Sequence, residues 1–234
     1  CGVKNNEYVR RHAISSERVP SVFFMASLNG YGTAFRNVLK IPKWFPLPIS
    51  ADHGVSYASE LSLFEKNRAS KHFVWDMQRY EALKTRYGSR IERVTNPVIM
   101  MIEKNNIKSS DNAQGTIVFL PHTNPSCEIG PYDWDEYFQN LECCITDLHP
   151  VTLCVHPHDV KNGKYKNFRK YNFPMITFGN NGSDLFILRF LNIVTQFKNA
   201  TSISAGTEAY YCEFLGVNYF TFGKEIMKLY SSEA

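Results

Sequence analysis

ATSISAGTEAYYCEFLG, residues 200–216, reads as a strand that runs into a small-residue turn and then a helix. Thr201, Ser202, Ile203 and Ser204 suit a short buried strand, Ala205-Gly206 lets the backbone turn closely, and Thr207 begins a largely apolar segment of helical length. In an open α/β sheet such a turn lies at the carboxyl end of a strand, where ligands bind. The free amides and dipole of the helix start can seat a phosphate or carboxylate there. The plainer reading of the same residues is an ordinary βα turn capped by Ser204 or Thr207.

Working backward, Thr116 to Leu120 is a buried strand ending at Pro121-His122-Thr123-Asn124, and Tyr132 to Cys144 reads as a helix. Val151 to Val155 is a second strand, ending in His156-Pro157-His158-Asp159. Pro174 to Phe178 is a third, and Asp184 to Phe197 is a long apolar helix leading into the stretch above. Asn218 to Phe222 supplies a final strand. Three strand ends thus carry ligand-capable groups: His122 with Thr123, His156 with His158, and Ser202 to Thr207. They converge if the sheet is parallel. Histidines and hydroxyls beside helix-start amides suit a phosphate better than a metal, because no third ligand stands at a persuasive spacing from His156-x-His158. Asp133-Trp134-Asp135 is formally a DxD triplet, but it follows Gly130-Pro131 rather than a strand, and its acids fit the first turn of a helix.

The first half alternates in the same way. Ser21 to Ala26 is a strand candidate followed by a turn at Asn29-Gly30-Tyr31-Gly32, which lacks both the dinucleotide fingerprint and the P-loop lysine. Ile41 to Pro48 carries three prolines and reads as a loop into a short strand that ends at Asp52-His53-Gly54. There His53 either projects into a cleft or is held by Asp52 for structural reasons. Lys71 to Asp76 is a strand, Gln78 to Tyr87 a charged helix ended by Gly88, and Ile91 to Val94 a strand closed by Thr95-Asn96-Pro97. Met100 to Asn112 turns polar, as a linker would. The fold class expected is therefore α/β, with two Rossmann-like domains containing parallel sheets: residues 1–103, a linker at 104–115, and residues 116–234. The amino-terminal domain is short for its kind.

Composition sets outer limits. The 234 residues are 44% hydrophobic, with a formal charge of +4 from 26 basic and 22 acidic residues. Such a chain folds around a sizeable core, and without a dense Lys/Arg block it gives no reason to expect nucleic acid. No apolar run reaches the length of a membrane span, and residues 1–20 lack the layout of a signal peptide. The six cysteines form no CxxC pair; buried free thiols and a cytoplasmic setting are expected.

These residues also resemble a family. Asp52-His53-Gly54, Thr95-Asn96-Pro97, His156-Pro157, and Ser204-Ala205-Gly206-Thr207 leading to Leu215-Gly216 are similar, in this order, to marks of the GT-B glycosyltransferases of bacterial surface polysaccharide synthesis. The likeness is nearest to capsule and lipopolysaccharide transferases, including the His-Pro sialyl and Kdo transferases that use CMP-sugars. The teichoic-acid transferases that use CDP-glycerol share a His-Gly and a His-Pro. The resemblance implies that His156 contacts the donor phosphate while Pro157 shapes its loop, with His122 and Thr123 on the neighbouring strand end. Ser202, Ser204, Gly206 and Thr207 would hold phosphate or ribose. His53 would be the general base toward the acceptor, with Asp52 orienting it or acting itself. Many members place a ribose-binding glutamate where this chain has Tyr211; Glu208 or Glu213 would replace it, and Glu208 lies close enough to the helix start to repel a phosphate. Nucleotide binding by protein groups implies no metal and no cofactor beyond the CMP-, CDP- or UDP-linked donor. The partners implied are a glycan or lipid-linked acceptor, the inner face of the membrane at its periphery, and other polysaccharide-synthesis enzymes. Alternatives are a CDP-polyol phosphotransferase, a nucleotide-sugar epimerase or hydrolase, and a non-catalytic subunit of the same fold.

Overall fold

A computed structural model describes residues 28–52, 54, 58–61, 65, 71–123, 127–144 and 148–230; the strand expected at Ser21 to Ala26 lies outside them. The chain forms two compact units. Among the described residues one unit holds 28–107 with 181–189, and the other holds 108–180 with 190–230.

The first unit is built on three parallel strands in the order β1 (Ile49–Ala51), β2 (Lys71–Val74), β3 (Ile91–Arg93). Helix α1 (Tyr31–Leu39) precedes them, α2 (Met77–Tyr87) joins β2 to β3, and α3 (Pro97–Lys104) follows and packs on α1. The Asp76 side chain accepts from the Arg79 amide to start α2, and Gly88, with φ of 56°, stops it where the sequence expects. Leu61, Val74, Leu83 and Ile91 form the local core.

Two expectations change in this unit. Asn96-Pro97 does more than close β3: Asn96 Oδ1 accepts from the Val98 and Ile99 amides at 2.9 and 3.4 Å, and Pro97 is the first residue of α3. A proline costs little there, because its missing N–H would be unpaired in any helix start. Met100 to Lys104, read as the beginning of a linker, is therefore helix, with Met101 and Ile102 buried by the apolar run that precedes the polar one. The turn read at Asn29-Gly30-Tyr31-Gly32 is confined to Leu28–Gly30, and Tyr31 and Gly32 belong to α1. Gly30 has φ of 77°, and a Cβ there would stand 2.7 Å from the Ile187 amide nitrogen. Close packing of two backbones accounts for this glycine.

The second unit contains a five-stranded, wholly parallel sheet in the order β7-β6-β4-β8-β9. Its strands are β4 (Thr116–Phe119), β6 (Val151–Cys154), β7 (Met175–Ile176), β8 (Asn199–Ser202) and β9 (Asn218–Thr221). The helices are α4 (Trp134–Cys144), α5 (Pro157–Lys161) and α7 (Thr207–Leu215), together with the end of α6 (Phe186–Val194), whose first residues belong to the 181–189 segment of the first unit. Beside the sheet, β5 (Cys127–Ile129) and β10 (Lys228–Tyr230) make an antiparallel pair. Neither was expected, since three residues are too few to show an alternation. The strand expected at Thr201 to Ser204 begins two residues earlier, at Asn199, and all four of its residues are buried.

The chain lays down β4, then β6 and β7 outward on one side, and returns across the sheet to place β8 on the other side of β4. That is the doubly wound order, and it leaves a topological switch point between β4 and β8. The core beneath is aliphatic and aromatic: Val118, Leu120, Phe138, Leu141 and Leu153 are buried, and Phe138 stacks on Tyr171 at 4.1 Å. Gly115 has φ of 69°, and a Cβ on it would stand 2.2 Å from the Pro150 carbonyl oxygen, to which the Thr116 amide donates. The protein is thus α/β with parallel sheets in both units, an arrangement compatible with a Rossmann-like fold. No helix among the described residues is long and apolar enough to cross a membrane.

Candidate functional site

The parallel register aligns Phe119 of β4 with Cys154 of β6 and Ser202 of β8, and Ser202 in turn with Thr221 of β9. The strand ends carrying His122, His156 and Ser202 are therefore neighbours at one sheet edge, beside the switch point. His122 and His156 meet: their rings stack with centroids 3.9 Å apart and planes 15° from parallel. His122 is exposed, and His156 is partly buried.

Their hydrogen bonds set the tautomers. His156 Nδ1 accepts from the His158 amide at 3.2 Å, capping α5, so in the neutral ring the proton sits on Nε2. Burial drives the His156 pKa down to about 2, with His122, His158 and Lys161 acting in the same direction. The ring is thus a neutral N–H donor at any working pH. His122 Nδ1 donates to the Thr123 carbonyl at 3.1 Å, which leaves Nε2 as the atom free to meet a ligand. One stacked pair therefore offers a fixed N–H and a second nitrogen with a free lone pair.

Thr123 is taken up elsewhere. Its hydroxyl donates to Asp159 Oδ1 at 2.5 Å and its amide faces the same carboxylate at 3.3 and 3.4 Å, both residues being buried. This bond ties the loop after β4, which carries His122, to α5. Nothing local in the sequence marks Asp159 for this role, because its partner stands 36 residues away.

The turn after β8 is occupied by its own glutamate. Glu208 Oε1 accepts from the Gly206 amide at 3.1 Å and lies 3.4 Å from Ser202 Oγ. A Cβ on Gly206 would stand 2.5 Å from Glu208 Oε2, so glycine makes room for the carboxylate. Ser202 Oγ donates to the Ser204 carbonyl at 2.7 Å, and Tyr219 OH, 2.5 Å away, donates to Ser202 in return. Tyr219 was not foreseen, because its partner lies on a different strand. Burial, with Glu208 and Cys212 adding to it, pushes the Tyr219 phenol up to about 12. Of the residues expected here, Ser204 is exposed, while Ser202 and the Gly206 amide are engaged within the protein. Thr207 opens α7 and Pro157 opens α5.

Burial holds the Glu208 carboxyl above its ordinary pKa, although the Gly206 amide, Ser202 and nearby His122 pull it down. As pH rises, the unfolded chain releases this proton first, so native stability falls from the ordinary carboxylate range up through the native pKa and is flat beyond it. Glu208→Gln removes the charge and keeps an acceptor oxygen. In urea denaturation the variant should match the parent near pH 4 and exceed it at pH 8. A difference that is constant with pH would assign the effect to something other than the carboxylate.

In the first unit the acid Asp52 is not turned toward a ligand. It is buried, and Arg79 Nε lies 3.0 and 3.1 Å from its two oxygens, with His72 Nε2 3.1 Å from Oδ1. Arg79 also donates to Glu65 Oε1 at 3.1 Å and to the Ala58 carbonyl, and His72 Nδ1 lies 3.0 Å from Ser50 Oγ. Asp52, Glu65 and His72 are the group among the described residues whose ligand atoms come near enough to suit a metal. The Arg79 guanidinium already supplies the positive charge these carboxylates need. His53 lies outside the described residues.

Comparison with models of known protein families, with curated proteins and with solved structures finds no match.

Proposed function

We propose that this chain is a nucleotide-sugar-dependent glycosyltransferase of GT-B type, moving a sugar from a CMP-, CDP- or UDP-linked donor to a bacterial capsule or lipopolysaccharide acceptor at the inner face of the membrane. The observation that supports this most is the His122–His156 stack beside the switch point of a doubly wound sheet. As the bond from sugar to phosphate breaks, negative charge grows on the departing nucleotide. His156 Nε2–H donates to a non-bridging phosphate oxygen without needing to gain a proton. His122 Nε2 and the exposed Ser204 hydroxyl would complete the polar wall, and the carboxylate of Glu208, anchored on Gly206, suits a ribose hydroxyl better than a phosphate. His53 is the base proposed to take the acceptor proton, a role resting on its sequence context alone.

A non-catalytic nucleotide-binding subunit of the same fold is the second reading, favoured by the commitment of Asp52 to Arg79 and His72. Transfer of a polyol phosphate would use the same edge, with the phosphate leaving on the product. Thermal denaturation with CMP, CDP, UDP and GDP in parallel tests the proposal. The right nucleotide at about 100 times its Kd should stabilise the protein by about 2.7 kcal/mol. Four flat responses would overturn it, and stabilisation with no turnover of any matching nucleotide-sugar would favour the binding subunit.

A further inference from the structure

Residues 39–46, LKIPKWFP, hold large apolar side chains in water on a braced loop. Trp44 is 82% exposed, Leu39 56% and Phe45 46%, while Leu47 just beyond is buried and anchors the segment. The loop is held in shape: the Ile41 amide donates to the Arg36 carbonyl at 3.1 Å, Arg36 Nη1 donates to the Pro42 carbonyl at 2.6 Å, and the Phe45 amide closes a turn onto Pro42 at 3.1 Å. Pro42, Pro46 and Pro48 stiffen it further. Two adjacent aromatics, with ring centroids 6.0 Å apart, are thus presented outward by a fixed backbone.

The charge carried by the segment itself is of one sign. Among the described residues no carboxylate pairs with Arg36, Lys40 or Lys43, and Lys104 reaches the end of α1 by donating to the Val38 carbonyl at 2.8 Å. No Asp or Glu occurs from residue 18 to residue 51. Protein interfaces are depleted in lysine at their centres, whereas tryptophan at headgroup depth, ringed by lysines, is the composition of an interfacial lipid anchor.

We infer that this loop docks the protein on an anionic lipid bilayer, with Trp44 and Phe45 entering the headgroup layer and Arg36, Lys40 and Lys43 meeting lipid phosphates. This deepens the membrane-face part of the reading above and does not depend on the transferase chemistry. Docking is expected to be weak and salt-sensitive, because the contact is small and partly electrostatic.

The test is co-sedimentation of the full chain with phosphatidylcholine vesicles, with and without phosphatidylglycerol, at low and high salt. The parent should bind the phosphatidylglycerol vesicles at low salt and release them at high salt. Each basic residue near such a surface contributes about fivefold, so Lys40→Gln with Lys43→Gln should weaken binding about 25-fold. Trp44→Ser with Phe45→Ser should remove binding, and Lys170→Gln, a control far along the chain, should leave it unchanged. All four residues replaced in the test variants are exposed, so folding should survive, as circular dichroism will report. No binding by the parent to anionic vesicles at low salt, or full binding by the Trp44/Phe45 variant, would overturn the inference. So would a dimer in sedimentation velocity that the same variant dissolves, since the occupant would then be a second copy. Vesicle binding without any nucleotide response would leave the docking loop standing and remove the transferase reading, and the reverse result would do the opposite.

Discussion

Replacing Arg79 with methionine should destabilise the first unit by about 3–5 kcal/mol, the usual cost of leaving buried charges without their partner. Arg79 is 2% exposed and is the cation to which both Asp52 oxygens and Glu65 are bonded. Without it two carboxylates would face each other in a space that water scarcely reaches, with His72 as the remaining partner of Asp52. Adding Asp52→Asn and Glu65→Gln to Arg79→Met should recover most of the loss, because neutral amides can share hydrogen bonds where anions repel. The measurement is urea denaturation followed by Trp75, which stacks on Tyr31 at 5.3 Å within the same unit, in a background with Trp44 and Trp134 changed to phenylalanine. A loss below about 1 kcal/mol, the range of exposed ion pairs, would show that the network is not a buried anchor.

His156→Asn should lower nucleotide affinity by about 10- to 150-fold, the worth of one hydrogen bond to a charged group. Asparagine is chosen because it can still cap α5, the task His156 Nδ1 performs for the His158 amide, while lacking the Nε2–H. His156→Ala should lose both affinity and the cap. Titration calorimetry with whichever nucleotide stabilises the parent separates the two effects, and unchanged affinity in His156→Asn would take His156 out of the phosphate site. The same variant carries a pH signature. The His156 pKa is depressed in the native state, so the unfolded chain takes up a proton that the folded one refuses, and the parent loses stability as pH falls below the ordinary imidazole range toward 2. His156→Asn should be less sensitive to acid over that interval.

Much of the site was legible because its signals are local. Each strand that ends at His122, His156 or Ser202 is a short buried run followed by turn residues, and parallel pairing was the natural outcome of strands alternating with helices. Helix α2 could be bounded to within a residue at its start by local capping and a terminal glycine. The failures came where two local signals compete. At 97–104 a proline that usually stops a strand also starts a helix, and the apolar residues after it settle the matter. At β5 and β10 the strands are too short for any period to appear.

The sequence by itself determined the α/β class, the alternation, and the polar groups at three strand ends, because backbone periodicity and capping act over three or four residues. Only the tertiary structure decided what those polar groups do. The return of the chain across the sheet puts β8 beside β4 and creates the switch point. It is long-range packing that lays His122 on His156, gives the Thr123 hydroxyl to Asp159 and binds Tyr219 to Ser202. Asp52 shows the same division: beside His53 it reads as part of a catalytic pair, yet its partners Arg79 and His72 come from α2 and β2. A buried carboxylate takes the cation that folding brings to it, and sequence distance carries no record of which one that is.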